Sequence, residues 1–194
     1  MITAKDVKNE FGHFLEMMSE KVLADKVVTA WVNAAEEGRW KSMDELKEMP
    51  FTLLTDTHGI NFIQHTIAVT RGAIGLMAAQ IETYGNDAPY TMNKDVLIAG
   101  GLLHDVGKLV EIEPDGQGGY RKSYSGKIAR HPISGTVIAA QAGITGPVLN
   151  TIACHAKEGE NRPQRIETIL IHQADFATFN PMVYMNKGNL IADE

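Results

Sequence analysis

The segment Ala99-Gly100-Gly101-Leu102-Leu103-His104-Asp105-Val106-Gly107-Lys108 decides how this chain is read. It closes a run from Lys94 that is apolar on almost every side, through Val96, Leu97, Ile98, Leu102 and Leu103. A helix of that kind belongs at the centre of a bundle, because no face of it can be left to water. An imidazole and a carboxylate at its end are costly unless paired or bound to a cation. Histidine nitrogen and carboxylate oxygen together suit Zn, Fe, Mn and similar ions. Taken alone, the pair fits equally well a helix C-terminus where the dipole favours histidine.

The flanking sequence supplies the bundle. Asn61 to Tyr84 is predicted helical from Phe62, Ile63, Ile67, Ile74, Met77, Ala78 and Ile81, and Gly85-Asn86 ends it. Glu113 to Gly126 holds Pro114, Gly116, Gly118 and Gly119 and reads as a loop or short hairpin. Pro132 opens a helix running to about Gly143, and Pro147 opens the next through Val148, Leu149, Ile152 and Ala153. Arg165 to Ala177 is the last clear helix, and Asn180-Pro181 starts a loose tail. Towards the N-terminus, Ala4 to Ala35 carries one apolar stripe, with Asp25 or a neighbour as the expected break. Ser42 and Glu45 have capping-box spacing for a short helix that Pro50 must follow. No internal repeat and no convincing strand stands out. The expected fold class is all-α: a compact helical bundle spanning 58–194 with a C-terminal tail, and an N-terminal helical extension, 1–57, packed on that core.

Composition narrows the function. A length of 194 residues suits one compact unit with an extension. Hydrophobic residues at 44% and charged residues at 22% exclude a disordered or collagen-like chain. Eighteen Lys+Arg against 24 Asp+Glu give a net charge of -6, which argues against nucleic-acid binding through a generally basic surface. The single cysteine, Cys154, cannot form an internal disulfide and points to a reducing compartment. Met1 to Glu10 lacks the apolar core of a signal peptide. The longest apolar run, Val96 to Leu103, is far short of the ~20 residues of a membrane span. A soluble cytoplasmic protein with no membrane partner is expected.

Seven histidines are the unusual count. His65 lies in the Phe62 to Ile74 segment, His131 directly precedes Pro132, and His155 lies near the end of the Val148 to Ala153 helix. Asp175 falls inside the Ile166 to Phe176 helix, three residues after His172. Each alone is more often a hydrogen-bonded core or surface group. Together with His104-Asp105 they place ligand-type side chains on successive apolar helices, as a metal site inside a bundle requires.

The order His65, His104-Asp105, Asp175 resembles the HD-domain superfamily of metal-dependent phosphohydrolases. Ala99 to Lys108 resembles its core motif and Ala174-Asp175 its final one, over roughly residues 58 to 178. The stretch His131-Pro132-Ile133-Ser134-Gly135 resembles the binuclear branches. The resemblance implies that His65, His104, Asp105 and Asp175 bind one metal and that Asp105 bridges to a second held by His131 and His155. The implied cofactor is one or two divalent transition metal ions, drawn from Fe, Mn, Zn, Co or Ni. The Gly-Tyr-Pro signature of the HD-GYP phosphodiesterases is missing from His155 to Pro163, so cyclic-dinucleotide specificity is not implied.

The implied enzyme is a metal-dependent hydrolase of phosphoric esters. It would use metal-activated water on a nucleotide or small anionic phosphorylated substrate. Asp105 and Lys108 would be its catalytic residues. Lys108 would bind the anion in preference to standing as a solvated lysine near a helix end, and Arg121, Lys122, Lys127 and Arg130 would join it, although a solvated loop explains the charges of that 121–130 run equally well. Two alternatives stay open: a di-iron oxygenase of the same superfamily, and a non-catalytic sensor of nucleotide or metal. Glu158 could orient His155 or accept a proton, His172 is read as a surface group, and His58 as a helix-start residue. The N-terminal helices could cover the core or form a homodimer interface.

Overall fold

The apolar run that ends in His104 becomes the central helix in the computed structural model, which describes residues 1–191. The last three residues of the expected 58–194 unit lie outside the described residues. In chain order the elements are α1 (Ala4–Glu16), α2 (Lys21–Glu37), α3 (Met43–Glu48), α4 (Phe62–Tyr84), α5 (Lys94–Leu103), α6 (Lys108–Glu111), β1 (Ile112–Pro114), β2 (Tyr120–Lys122), α7 (Tyr124–Ile128), α8 (His131–Gln141), α9 (Gly146–Cys154) and α10 (Ile166–Asn186). Among the described residues the fold is all-α apart from an isolated bridge between Pro50 and Asn61 and the antiparallel pair β1–β2, which pairs Ile112 with Lys122 and Pro114 with Tyr120. No helix among the described residues is long and apolar enough to cross a membrane.

Helix α5 is buried from Asp95 to Leu103 and packs against α2, α4, α9 and α10. Its two glycines let those neighbours close in. A Cβ at Gly100 would lie 2.6 Å from Thr151 Cγ2 on α9, and one at Gly101 would lie 2.9 Å from Thr70 Oγ1 on α4. Phe11, Trp31, Phe62, Leu102, Ile138 and Ile152 share the main core, which joins the N-terminal helices to α4, α5, α8 and α9. A smaller cluster, including Val69, Leu97, Leu170 and Ala174, lies between α4, α5 and α10.

The N-terminal helices also satisfy backbone groups that α5 and α6 leave open. The last carbonyls of a helix have no partner within it. Trp31 Nε1 donates to the Leu102 carbonyl at 3.0 Å, and Trp40 Nε1 donates to the Leu109 carbonyl at 2.7 Å. Each such bond contributes about 0.5–1.5 kcal/mol net, and orphaning a buried carbonyl costs about 1–3 kcal/mol. In return, α5 caps α2: Asp95 Oδ1 accepts from Ser19 N at 3.0 Å and Oδ2 from Glu20 N at 2.7 Å.

Three expectations are corrected here. The helical N-terminus breaks between Glu16 and Lys21 rather than at Asp25, because the cap for α2 comes from Asp95, far away in sequence. The last helix does not give way to a loose tail at Asn180-Pro181; α10 runs through Pro181 to Asn186. An interior proline costs about 3 kcal/mol. That cost is offset by anchors on either side of it. Thr178 reaches His65, Phe179 packs edge-on against Phe51, and Asn186 bonds to the segment before α4. Finally, α4 starts at Phe62 under a capping box of Asn61 and Gln64, so His58 precedes the helix, in a loop with φ 49°.

Candidate metal centre

The ligand-type residues stand mostly at helix ends, where the backbone turns and side chains can converge. His65 lies in the first turn of α4, His104 caps the C-terminus of α5, His131 opens α8 and His155 caps the C-terminus of α9. Asp105 follows His104 in a tight turn closed by Lys108 N donating to the Asp105 carbonyl at 2.8 Å. Asp175 projects from α10. Four of these residues, His65, His104, Asp105 and His155, are almost completely buried, and His131 nearly so.

Asp105 is the hub. Its Oδ2 lies 3.3 Å from His65 Nε2 and 3.3 Å from His104 Nε2. Its Oδ1 lies 3.2 Å from His131 Nε2 and 3.6 Å from His155 Nε2. Asp175 Oδ1 joins the first group, 3.2 Å from His65 Nε2. Ligand atoms ~2.1 Å from one ion and a tetrahedral or right angle apart are roughly 3.0–3.4 Å from each other. Two groups could therefore hold a cation: His65, His104 and Asp175, and next to it Asp105, His131 and His155.

The chemistry of the donor atoms fits a metal. The buried Nε2 atoms of His65, His104 and His155 and both carboxylate oxygens of Asp105 have no hydrogen-bond partner. Buried polar atoms are rarely left unpaired, and such a cluster calls for an ion. The opposite ring nitrogens are all engaged. Nδ1 of His104 meets the Gly101 carbonyl at 2.7 Å, and Nδ1 of His155 meets the Ile152 carbonyl at 2.9 Å. A carbonyl can only accept, so both rings carry a proton on Nδ1 and turn Nε2 inward. Thr178 Oγ1 donates to the Asp175 carbonyl at 2.8 Å, which leaves it free to accept from His65 Nδ1 at 3.3 Å.

Electrostatics keep the site ready for a cation. Burial pushes the Asp105 carboxyl up, but the Lys108 ammonium and then the neighbouring His104 and His131 rings outweigh it and hold it well below its ordinary value. Asp175 is likewise lowered: burial opposes ionisation, and the adjacent His65 ring, 3.2 Å away, overcomes it. Burial lowers His131 towards its neutral, ligating form, against the pull of Asp105 and Glu111. His65 is raised despite burial, because Asp105 and Asp175 flank its Nε2. The same two carboxylates would attract a metal cation to that position.

Lys108 Nζ sits 2.5 Å from Asp105 Oδ2, a close ion pair without hydrogen-bond alignment, and donates to the Phe51 carbonyl at 2.7 Å. It also lines a cleft of about 290 Å3 together with Lys122, Arg130 and His131. The basic residues named from sequence therefore divide. Lys108, Lys122 and Arg130 face the cleft, whereas Arg121 pairs with Glu113 on the hairpin at 2.9 Å and Lys127 is exposed on α7, and neither lines the cleft. Larger surface depressions, such as one of about 380 Å3 between α1 and α2, bring no cluster of ligand atoms together.

Glu158 does not orient His155. It pairs with Arg130 Nη1 at 2.6 Å, and the Ile152 carbonyl holds the His155 ring. His172 is half-buried, and its Nδ1 meets the His155 carbonyl at 2.6 Å, which fixes the backbone of that residue. Cys154 is half-buried, and burial raises its thiol. Glu111 is the contributor that sequence reading missed. Its Oε2 accepts from His131 N at 2.6 Å and faces His131 Nδ1 at 2.8 Å, while Oε1 pairs with Lys122 at 3.2 Å. Burial opposes its ionisation, but the His131 ring and the other donors lower it to about 2. A glutamate in the Lys-Leu-Val-Glu run after the motif gives no sign of this, because its partner lies twenty residues on. Glu111→Ala is expected to weaken metal binding at the His131–His155 side ~10- to 100-fold and to spare the other side. Metal titration of the variant checks this, and unchanged affinity at both sides would rule out the role.

A helical bundle with a buried His–Asp hub defines a class of metal-binding helical domains. The HD domain family matches residues 62–176, more than half of the chain, and the chain belongs to that family. It is 35% identical over 119 residues to the Ribonuclease Y of Clostridium botulinum strain Hall, which is 61% of this chain and 18% of that protein. The Ribonuclease Y proteins of Desulforudis audaxviator and Thermotoga petrophila are 31% and 30% identical over the same shares. The chain thus spans under a fifth of the length of these relatives. No solved structure gives a significant match. Family and relatives support the class of metal-dependent hydrolases.

Proposed function

We propose that the chain is a phosphohydrolase or phosphodiesterase that uses metal-activated water on a nucleotide or small phosphorylated substrate. The observation that carries this reading is Asp105, whose two oxygens face two different histidine pairs. His65, His104, Asp105 and Asp175 would hold one divalent transition ion, and Asp105, His131 and His155 a second. When bound, such ions lower the pKa of water and stabilise negative charge on phosphoryl oxygens.

The chain's own groups do the rest. Lys108, Lys122 and Arg130 line the cleft, each paired with a carboxylate (Asp105, Glu111 and Glu158), and would turn from those partners to the anionic end of a substrate. Lys108 stands between that wall and Asp105, so it can pass from the carboxylate to a substrate oxygen with little movement. The Gly101 and Ile152 carbonyls hold Nδ1 of His104 and His155, which keeps both rings aimed with Nε2 towards the centre. The helices of residues 1–57 serve as an extension that supports the 58–194 unit through Trp31 and Trp40. The net charge of -6 argues against a generally basic surface, but three cations line the cleft, which leaves room for local contact with a polynucleotide. RNA therefore belongs among the substrates to be tried, as the name of the relatives suggests.

Elemental analysis of the purified protein, followed by a panel of phosphomonoesters, phosphodiesters and single-stranded RNA, tests the proposal. About two transition-metal ions per chain are expected, with turnover lost on chelation, restored by re-addition and unaffected by removing oxygen. Turnover by metal-free protein, or turnover that consumes dioxygen, would refute it.

A further inference from the structure

The segment between α3 and α4 forms a strap over the metal centre, and its placement has a purpose that the ligand set does not explain. The Phe51 ring is buried and stacks on the ring of His65, with centroids 4.3 Å apart and planes 12° from parallel. Its carbonyl accepts from Lys108. Beyond it, the far end of α10 holds the strap down. Asn186 Nδ2 donates to Thr55 Oγ1 at 2.6 Å and to the Asp56 carbonyl at 2.7 Å, and Asn186 Oδ1 lies 2.6 Å from His58 Nε2. Phe51 and Asn186 both lie outside the segment that matches the family, on opposite sides of it.

Between the two anchors, the strap presents Leu53 and Leu54 to solvent, 42% and 82% exposed. Single exposed leucines are ordinary. These two are not isolated, because they line the same cleft as Lys108, Lys122, Arg130 and His131. The cleft therefore has an apolar side contributed by the strap and, on the helices and hairpin, a side where Lys108, Lys122 and Arg130 stand with Glu111, each cation paired with a carboxylate that an incoming anion would have to displace. A ligand that satisfies both has an anionic end and an apolar face.

We propose that Leu53 and Leu54 are specificity-determining residues that contact the apolar part of a phosphorylated substrate, and that Asn186 positions them by latching the strap. This rests on the proposed phosphoester hydrolysis for its choice of anion. A bare phosphate or a small alkyl ester would use only the cationic side, whereas an aryl or similarly flat ester would use both.

The test compares phenylphosphonate with methylphosphonate, each titrated calorimetrically into the metal-loaded protein. The wild type is expected to bind the phenyl compound roughly 10-fold more tightly, the gain from covering one ring on two leucines. In Leu53→Ser/Leu54→Ser that ratio should fall to about one through loss of phenyl affinity alone. Asn186→Ala should lower the ratio and speed amide exchange across 51–58 while leaving metal content unchanged. With the corresponding phosphate esters, KM should rise for the phenyl ester only and kcat should hold. Equal binding of the two probes by the wild type, an unaltered ratio in the double leucine variant, or metal loss in Asn186→Ala would each overturn the proposal. The binding ratio is read with or without turnover. A panel with no hydrolysis would thus refute the function and leave the recognition wall still tested by its own measurement.

Discussion

Asp105→Asn is expected to strip the centre of most of its metal and to lower kcat by ~1000-fold or more, the scale of losing a group on which a catalytic unit depends. Asparagine preserves the volume, so the core around it remains filled. It removes one of the two oxygens that face the His65–His104 and His131–His155 pairs. An amide nitrogen has no lone pair to give a cation, so one side must lose its share of the bridge. Asp105 also balances the Lys108 ammonium beside it, and the variant leaves that charge without its partner. Two measurements check the result. Elemental analysis should fall from about two ions per chain to one or fewer. The wild-type Tm should drop on chelation, since a ligand that binds only the folded state stabilises it, and the Tm of the variant should barely respond. A variant that retains full metal content and rate would show that Asp105 is not a bridge.

Gly107→Ala is the second large effect, and it acts without touching a ligand. Gly107 has an ordinary right-handed backbone, φ -66° and ψ -16°, so alanine meets no conformational penalty there. The obstacle is contact: a Cβ would lie 2.2 Å from the His131 carbonyl oxygen and 2.6 Å from Gly135 N. Both belong to the backbone of α8, which cannot give way by a side-chain rotation. The turn after Asp105 and the start of α8 must separate, and His131 moves with the helix. Such overpacking costs about 1–3 kcal/mol and should lower Tm by roughly 2–12 °C in a chain of this size. A displacement near 1 Å should reduce kcat by ~100-fold. Metal should be lost first from the His131–His155 side, while His65, His104 and Asp175 keep theirs. Normal metal content and rate in Gly107→Ala would show that α8 tolerates the shift.

How much of this could be read before the fold was known depends on whether a signal and its cause lie close together in the chain. The apolar run before His104, the prolines that open α8 and α9, and the glycine-rich turn at 113–126 are local signals, and the helices and hairpin follow them. The break before α2 could not be placed, because its capping carboxylate, Asp95, is supplied by another helix. Pro181 reads as a stop, and locally it is one. Contacts of Thr178, Phe179 and Asn186 with residues more than a hundred positions earlier carry the helix past it.

The site divides in the same way. Residue type and order offered His65, His104, Asp105, His131, His155 and Asp175 as ligand-type side chains beside core-facing residues, and the resemblance to the HD superfamily made them one expected set. Only the tertiary structure decided that Asp105 turns one oxygen to each histidine pair, that Glu111 orders His131, and that Lys122 and Arg130 face the cleft while Arg121 and Lys127 do not. Orientation is set by what a side chain meets across the bundle. The sequence near a residue records its chemistry and its helical face, but not the partner that arrives from elsewhere in the chain.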